Sequence, residues 1–291
     1  MDERAALRKL ASDLPKAGDD AAIIGDTAIT TDMLHTVTDF PDGTTRYTAG
    51  WRAVGASLSD LAAVGATVDA AVAVYADDSF VETELTAFVR GATDVCELVG
   101  GSYVGGDLDE NTELTVATTA IGEVDDPVLR SGATPGDVVC VTGHFGRSAA
   151  ALRLFHDGHV EKANELFRFR PRIETGRLLR QRATAAMDSS DGLARSLHQL
   201  AEASGVGFDI DSEAVPVHPE LEALATDSAD RWDRAVHFGE DFELVFTLPE
   251  SRLPDIAQQA PDAISQIGTV VESGITVDGA TLPDRGYTHD G

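Results

Sequence analysis

Five short acidic clusters, each flanked by small or hydroxyl-bearing residues, interrupt this chain. They are Gly18-Asp19-Asp20-Ala21-Ala22, Thr30-Thr31-Asp32, Leu58-Ser59-Asp60-Leu61, Gly105-Gly106-Asp107 and Asp188-Ser189-Ser190-Asp191-Gly192-Leu193. Asp19-Asp20 leads directly into the apolar run Ala21-Ala22-Ile23-Ile24. A carboxylate at the mouth of a buried strand is costly unless something pairs with it. Hard oxygen ligands delivered by several loops suit Mg²⁺, which commonly accompanies a nucleotide phosphate. The clusters therefore point to phosphoryl chemistry, provided they stand out from their background.

That background is acidic. The formal net charge is −28, from 50 Asp and Glu against 22 Lys and Arg, and Lys9, Lys16 and Lys162 are the three lysines. Nucleic acids and anionic membranes are poor partners for such a chain, because their affinity rests on cationic contacts to phosphates. Self-repulsion weakens the compact state unless salt screens it, and the Debye length falls to about 3 Å at 1 M salt. An acidic, lysine-poor surface of this kind resembles that of proteins from extreme halophiles. Most carboxylates are thus expected on a solvated surface, including Asp77-Asp78 and Asp125-Asp126 in polar turns.

A length of 291 residues and 43% hydrophobic content suit one large or two ordinary domains. No run of 18 apolar residues occurs and the N-terminus lacks a signal-peptide apolar region, so a soluble cytoplasmic protein is expected. Cys96 and Cys140 sit in apolar contexts and read as buried thiols. Turn residues from Asp125-Asp126-Pro127 to Pro135-Gly136-Asp137 mark a boundary, giving domains 1–125 and 126–291. Before it, strands are expected at 22–24, 28–31, 69–75 and 113–123, with helices at 48–65, capped by Thr48, and 80–99. After it come strands at 137–142, 184–187, 206–211, 242–248 and 264–270, and helices near 145–156, 160–168, 173–182 and 191–204. Helices and strands without strict alternation suggest an α+β, two-domain α/β chain.

The motif content excludes several enzyme classes. No G-x-x-x-x-G-K-[ST] loop, kinase H-R-D or D-F-G set, or G-x-S-x-G elbow is present. Gly105-Gly106-Asp107 follows the apolar segment 98–104, so it reads as a strand end that can approach a phosphate or as a plain turn. Ser190 or Asp191 can cap the helix after them, or the segment can hold a metal and a phosphate together. Ser59-Asp60 lies inside an apolar helix, which requires either an exposed face or an opposing cation. Arg130 and the Gly239-Glu240-Asp241 turn are further candidates for phosphate and substrate.

Taken in order, these segments resemble the thiamine-monophosphate kinase family, within the ATP-binding superfamily that includes aminoimidazole-ribonucleotide synthetase and selenophosphate synthetase. The resemblance runs through the five clusters, Arg130-Ser131-Gly132-Ala133, Pro135-Gly136-Asp137, Arg170-Pro171-Arg172, Gly239-Glu240-Asp241-Phe242-Glu243-Leu244 and Gly286-Tyr287-Thr288-His289. It implies an N-terminal ATP-binding domain whose sheet joins a partner's into a dimeric sheet or barrel, and a C-terminal α/β sandwich. It further implies a homodimer acting on ATP and thiamine monophosphate with several Mg²⁺ ions. Asp20, Thr30, Thr31, Asp32, Asp60, Asp107, Asp188 and Asp191 would hold metal by family match. Gly106, Asp107, Arg130 and Ser190 would contact ATP, and Glu240 and Tyr287 would face the cationic thiazolium.

The chain departs from the family where a substrate-contacting His normally precedes Phe. Here Val37-Thr38-Asp39-Phe40 places Asp39 at that position, a carboxylate that can face the cationic rings. Phe238 also stands before Gly239 where a second Gly is common. Two other readings are a different ATP-dependent enzyme of the superfamily and a non-catalytic ATP- or cation-binding subunit. A reactive Cys near the N-terminus, needed for selenophosphate synthesis, is lacking.

Overall fold

Residue 14 and residues 17–287 are described by the computed structural model; Lys9, Lys16, Thr288 and His289 lie outside the described residues. Strands β1 (Ala22–Ile24) and β2 (Thr27–His35) form a hairpin, and a single helical turn, α1 (Thr36–Asp39), follows. Helix α2 (Arg46–Ala63), β3 (Ala70–Asp77), α3 (Glu82–Leu98), β4 (Ser102–Glu110) and β5 (Thr115–Glu123) complete the first half. The five strands pair in the order β1-β2-β5-β3-β4, parallel at β3–β4 and antiparallel elsewhere. This sheet is open within the chain.

Strand alternation gives the sheet two unlike faces. Ala28, Thr30, Leu34, Ala71, Ala73, Val116, Thr118 and Ala120 are buried on the inner face against α2 and α3. Met33, Val72, Val74 and Ile121 stand exposed on the outer face.

The second half contains β6 (Val138–Thr142), α4 (Arg147–His156), α5 (Val160–Phe167), α6 (Ile173–Leu179), β7 (Ala185–Ser189) and α7 (Leu193–Ser204). It continues through β8 (Gly207–Ile210), α8 (Pro219–Leu224), α9 (Ser228–His237), β9 (Glu243–Leu248), α10 (Leu253–Gln259), β10 (Ile264–Val271), β11 (Ile275–Val277) and β12 (Ala280–Thr281). Its strands pair in the order β12-β11-β8-β10-β6-β9-β7. Residues of β6, β7 and β9 are buried on both faces, as expected of short apolar runs in a covered sheet.

Helix α2 joins the two halves. It packs on β2 and β5 of the first sheet and on α6 and β7 of the second. Buried on nearly every side, it is built from Ala, Gly, Ser and Leu rather than from one apolar stripe. Among the described residues no helix is long and apolar enough to cross a membrane.

Several local expectations need correction. Thr45, not Thr48, caps α2: its Oγ1 accepts the Thr48 N–H at 3.2 Å. Neither Ser190 nor Asp191 caps α7: Gly192 holds the cap position, without a side-chain cap bond. Gly105-Gly106-Asp107 lies within the edge strand β4 rather than at a strand end, and the strand runs on to Glu110. Asp77 is buried, not solvated: its Oδ2 accepts from Arg46 Nη2 at 2.7 Å and from the Tyr75 hydroxyl at 2.8 Å. Cys96 and Cys140 are buried free thiols, as read.

Candidate functional site

Where the two halves meet, β1, β2, α2 and β7 each deliver a carboxylate to one place. Asp20 precedes β1, Asp60 lies in the last turns of α2, and Asp188 sits near the end of β7. Oxygens of these three carboxylates lie within 4.8 Å of one another. Asp32, on the inner face of β2, accepts from the Ser57 hydroxyl at 2.6 Å, and Ser57 also bonds Thr118 at 2.7 Å. Thr30, two residues back on that face, donates to Asp60. Ser59 donates to Asp188 at 2.7 Å, so the hydroxyl beside Asp60 is buried and used rather than exposed.

This density of like charge is costly. Burial pushes the Asp60 carboxyl well above the usual range, and Asp32, Asp188 and Asp20 push it further. Asp188 is raised by burial and by Asp20, with the Ser59 bond and Arg130 opposing. Asp32 is raised by burial, against its Ser57 bond. One cation answers them directly. Arg130 grips Asp20 with Nη2 at 2.9 Å and Nε at 3.1 Å, and its backbone N–H donates to Asp19 at 2.7 Å. Burial works against the Arg130 charge, but Asp20, Asp188 and Asp60 outweigh it and hold the proton more tightly than usual.

Among the described residues, one guanidinium against four clustered carboxylates leaves an excess of negative charge beside a set of oxygen donors. That donor chemistry fits Mg²⁺, which takes oxygen ligands and neutralises them. Asp20, Asp60 and Asp188 could hold it, with Asp32 beside them.

The other site residues fall elsewhere. Thr31 alternates to the outer face of β2, where its Oγ1 donates to the Thr118 carbonyl at 2.7 Å, so its hydroxyl points away from the cluster. Gly106 shares a row with Asp32: Asp32 pairs with Thr118, Thr118 with Ala73, and Ala73 with Gly106. Three strand spacings of about 4.8 Å put Gly106 and exposed Asp107 roughly 14 Å from Asp32. Helices α2 and α3 cover the inner face between them. A cleft of about 550 Å³ opens beside Gly105-Gly106-Asp107, walled by Tyr75, Leu85, Phe88, Val89, Tyr103 and Val104.

Asp39, Glu240 and Tyr287, far apart in sequence, come together. The Tyr287 hydroxyl donates to the Thr38 carbonyl at 3.3 Å, while its backbone N–H donates to the Asp191 carbonyl at 3.0 Å. Asp39 is buried in the α1 turn, accepting from the His35 N–H at 2.8 Å and the Thr38 hydroxyl at 2.7 Å. Glu240 is raised by burial and by Asp39 and Asp191, with Arg52 opposing. The Glu240 N–H donates to the Ser190 carbonyl at 2.5 Å, so the segment from Asp188 to Asp191 runs from the acidic cluster to this pocket.

Arg52 was missed by the sequence reading. Its side chain has no exposed surface, and Nη2 meets Glu240 Oε2 at 2.5 Å. Two α/β units meeting at a buried, oxygen-lined cluster beside an acidic aromatic pocket define a two-domain protein suited to divalent metal and phosphate.

Comparison with known proteins agrees with this class. Residues 18–124 match the family described as AIR synthase related protein, N-terminal domain, and residues 134–279 match AIR synthase related protein, C-terminal domain. The chain is 57% identical over 291 residues to Thiamine-monophosphate kinase of Halobacterium salinarum, covering 99% of this chain and 100% of that one. It is 40% identical over 279 residues to Thiamine-monophosphate kinase of Methanospirillum hungatei JF-1, covering 93% and 92%. The solved structure of AaThiL complexed with AMPPCP and TMP is similar at a TM-score of 0.89 and 28% identity, covering 99% of this chain and 97% of that one. Thiamine-monophosphate kinase from Stenotrophomonas maltophilia K279a follows at a TM-score of 0.82 and 29% identity, covering 95% and 96%. The chain belongs to the thiamine-monophosphate kinase family.

Proposed function

We propose that this protein transfers the γ-phosphoryl group of ATP to thiamine monophosphate, releasing thiamine diphosphate and ADP. The observation that carries the reading is the placement of the acidic cluster and the Asp39–Glu240–Tyr287 pocket along one helix, with Asp60 and Arg52 at the two places. Eight residues of α2 at about 1.5 Å each separate those positions by roughly 12 Å.

Asp20, Asp32, Asp60 and Asp188 would hold Mg²⁺, with Thr30 orienting Asp60. The bound metal would supply the charge neutralisation that two meeting polyanions require. Arg130, anchored by Asp20, adds a fixed positive charge at the nucleotide phosphates, and Ser190 contributes polar contact there. Glu240 and Asp39 would meet the cationic rings of the acceptor, and the Tyr287 ring would lie against them. The acceptor oxygen already belongs to an ionised phosphate, so no side chain is needed to remove a proton. Alignment and charge stabilisation carry the rate.

The reading extends to the assembly. The exposed apolar outer face of the first sheet, with Met33, Val72, Val74 and Ile121, suits a second copy of the chain. In such a homodimer the Gly106-Asp107 edge of one copy would complete the other's site. The 550 Å³ cleft beside it has apolar walls for the nucleobase. Residues 1–125 would then form the dimerising, metal-binding domain and residues 126–291 the domain that closes the acceptor pocket. The charge of −28 suits a salty cytosol.

Purified protein supplied with ATP, Mg²⁺, thiamine monophosphate and high KCl should form thiamine diphosphate, resolved chromatographically, and lose that activity with chelator. No product, or activity indifferent to chelator, would sink the proposal.

A further inference from the structure

Arg52 has no reason to be a guanidinium on account of its own helix, where its neighbours are Ala49, Gly50, Ala53, Val54, Gly55 and Ala56. Removing a cation from water is costly unless its partners are well placed. Here both terminal nitrogens find partners, all in the second half of the chain, although Nε finds none among the described residues. Nη1 donates to the Phe167 carbonyl at 2.6 Å, Nη2 meets Glu240 Oε2 at 2.5 Å, and the guanidinium lies 3.6 Å from the centre of the Phe167 ring.

The residue it grips is in an unusual conformation. Glu240 has φ +63 and Phe242 has φ +53, a left-handed region that side chains other than glycine rarely enter. Surrounding bonds must therefore hold this turn. The Glu240 and Phe242 N–H groups donate to the Ser190 and Ser189 carbonyls at 2.5 and 3.0 Å. The Ser148 hydroxyl donates to the Glu240 carbonyl at 2.6 Å. Asp241 accepts from the Gly146 and Ser148 N–H groups at 2.5 and 2.9 Å. Of these contacts, the one from Arg52 alone ties the turn to α2, the helix that carries Asp60.

We propose that Arg52 is a positioning residue that locks Glu240 in its left-handed turn and thereby sets the acceptor pocket in register with the acidic cluster. It acts through Glu240, and its kinetic consequence rests on the function proposed above. Losing Arg52 should loosen the acceptor and leave ATP binding alone.

The test compares the full-length protein with Arg52→Gln and Arg52→Lys at high KCl. It measures KM for thiamine monophosphate and for ATP, and amide hydrogen exchange over residues 238–242 and α2. Arg52→Gln is expected to raise the acceptor KM about tenfold or more while ATP KM stays within about twofold. Exchange at Glu240 and Phe242 should quicken while α2 stays protected. Arg52→Lys keeps the charge without the fork that serves Phe167 and Glu240 together, and should fall between the two.

Wild-type acceptor KM and loop exchange in Arg52→Gln would overturn the proposal. So would a joint loss of ATP and acceptor binding with general loss of protection, or a Lys variant no better than Gln. If Arg52→Gln does not fold, Arg52→Lys decides: faster loop exchange with unchanged ATP KM supports the proposal, and wild-type behaviour overturns it. Exchange is read without substrate. Absence of thiamine diphosphate from the wild type would count against the proposed reaction, whereas unaltered loop exchange would count against the role of Arg52.

Discussion

Asp60 carries a heavy electrostatic burden in the acidic cluster, because burial and three neighbouring carboxylates all disfavour its charge. Its folded carboxyl titrates well above the ordinary value, so the folded state binds a proton that the unfolded state has released. Without metal, this penalty is absent below the unfolded value of 3.8 and fully developed once pH exceeds the raised folded value. Asp60→Asn should therefore melt higher than the wild type in chelator at neutral pH, with the difference shrinking on acidification. The same variant should lose both kinase activity and the rise in Tm expected when Mg²⁺ is added to the wild type. A variant less stable than wild type in chelator would contradict the electrostatic account.

Glu243 shows the opposite sign. Burial disfavours its charge, but Arg172 donates at 2.6 and 2.8 Å and Thr142 at 2.6 Å, and together they hold its carboxyl below the usual range. Its contribution is present above the unfolded value of 4.5 and lost as pH falls through the depressed folded value. Arg172→Gln leaves Glu243 buried with Thr142 as its one side-chain donor and the Arg147 charge nearby, which should cost about 3 kcal/mol at pH 7. Protonation relieves that cost, so urea titrations of variant and wild type should converge toward pH 4. Legibility differed residue by residue in the same way. Asp20, Asp60 and Asp188 were readable because each interrupts an apolar pattern. Arg52 was hidden, since an Arg in an Ala-rich helix looks like an exposed position. Its one local signal is a polar face shared with Ser59 and Asp60, at spacings of seven and eight residues.

Among the elements, α2 and α3 approach more closely than side chains would allow. A Cβ on Gly50 would meet the Phe88 carbonyl oxygen at 2.2 Å, and one on Gly91 would meet the Tyr47 carbonyl oxygen at 2.0 Å. Backbone cannot yield as a flexible side chain can, so Gly91→Ala must push the helices apart at a cost of about 1–3 kcal/mol. Because α2 carries Asp60 and Arg52, kcat should fall with Tm, although residue 91 touches neither. Unchanged Tm in Gly91→Ala would show that the pair has slack. A long stretch of small and apolar residues made α2 legible, and apolar runs did the same for β6, β7 and β9. Strand β4 was not legible, because its Gly-Gly-Asp centre and acidic end lack the alternation of a half-buried strand; β3 supplies its pairing from outside. Asp77 misled for a related reason. Its partners, Arg46 and Tyr75, converge only in the folded chain.

On the scale of the whole molecule, the unresolved tension is the roughly 14 Å between Asp32 and the Gly106 row. Within one chain α2 and α3 fill the inner face across that gap, so Asp107 and Asp60 cannot converge on one phosphate by a local adjustment. In the dimer proposed on the exposed outer face, each site would draw Asp60 from one copy and Asp107 from the other. Co-expressing Asp60→Asn and Asp107→Asn chains under two different tags, then purifying through both, yields a heterodimer. If the site is shared, one of its two sites is intact, and about half of wild-type activity should return although each homodimer is inactive. If each chain supplied both groups to its own site, that heterodimer would stay inactive. The reciprocal pairing separates the cases from the other side. A wild-type chain joined to an Asp60→Asn/Asp107→Asn chain should be inactive when the site is shared, since both sites then lack one carboxylate, and about half active when it is not.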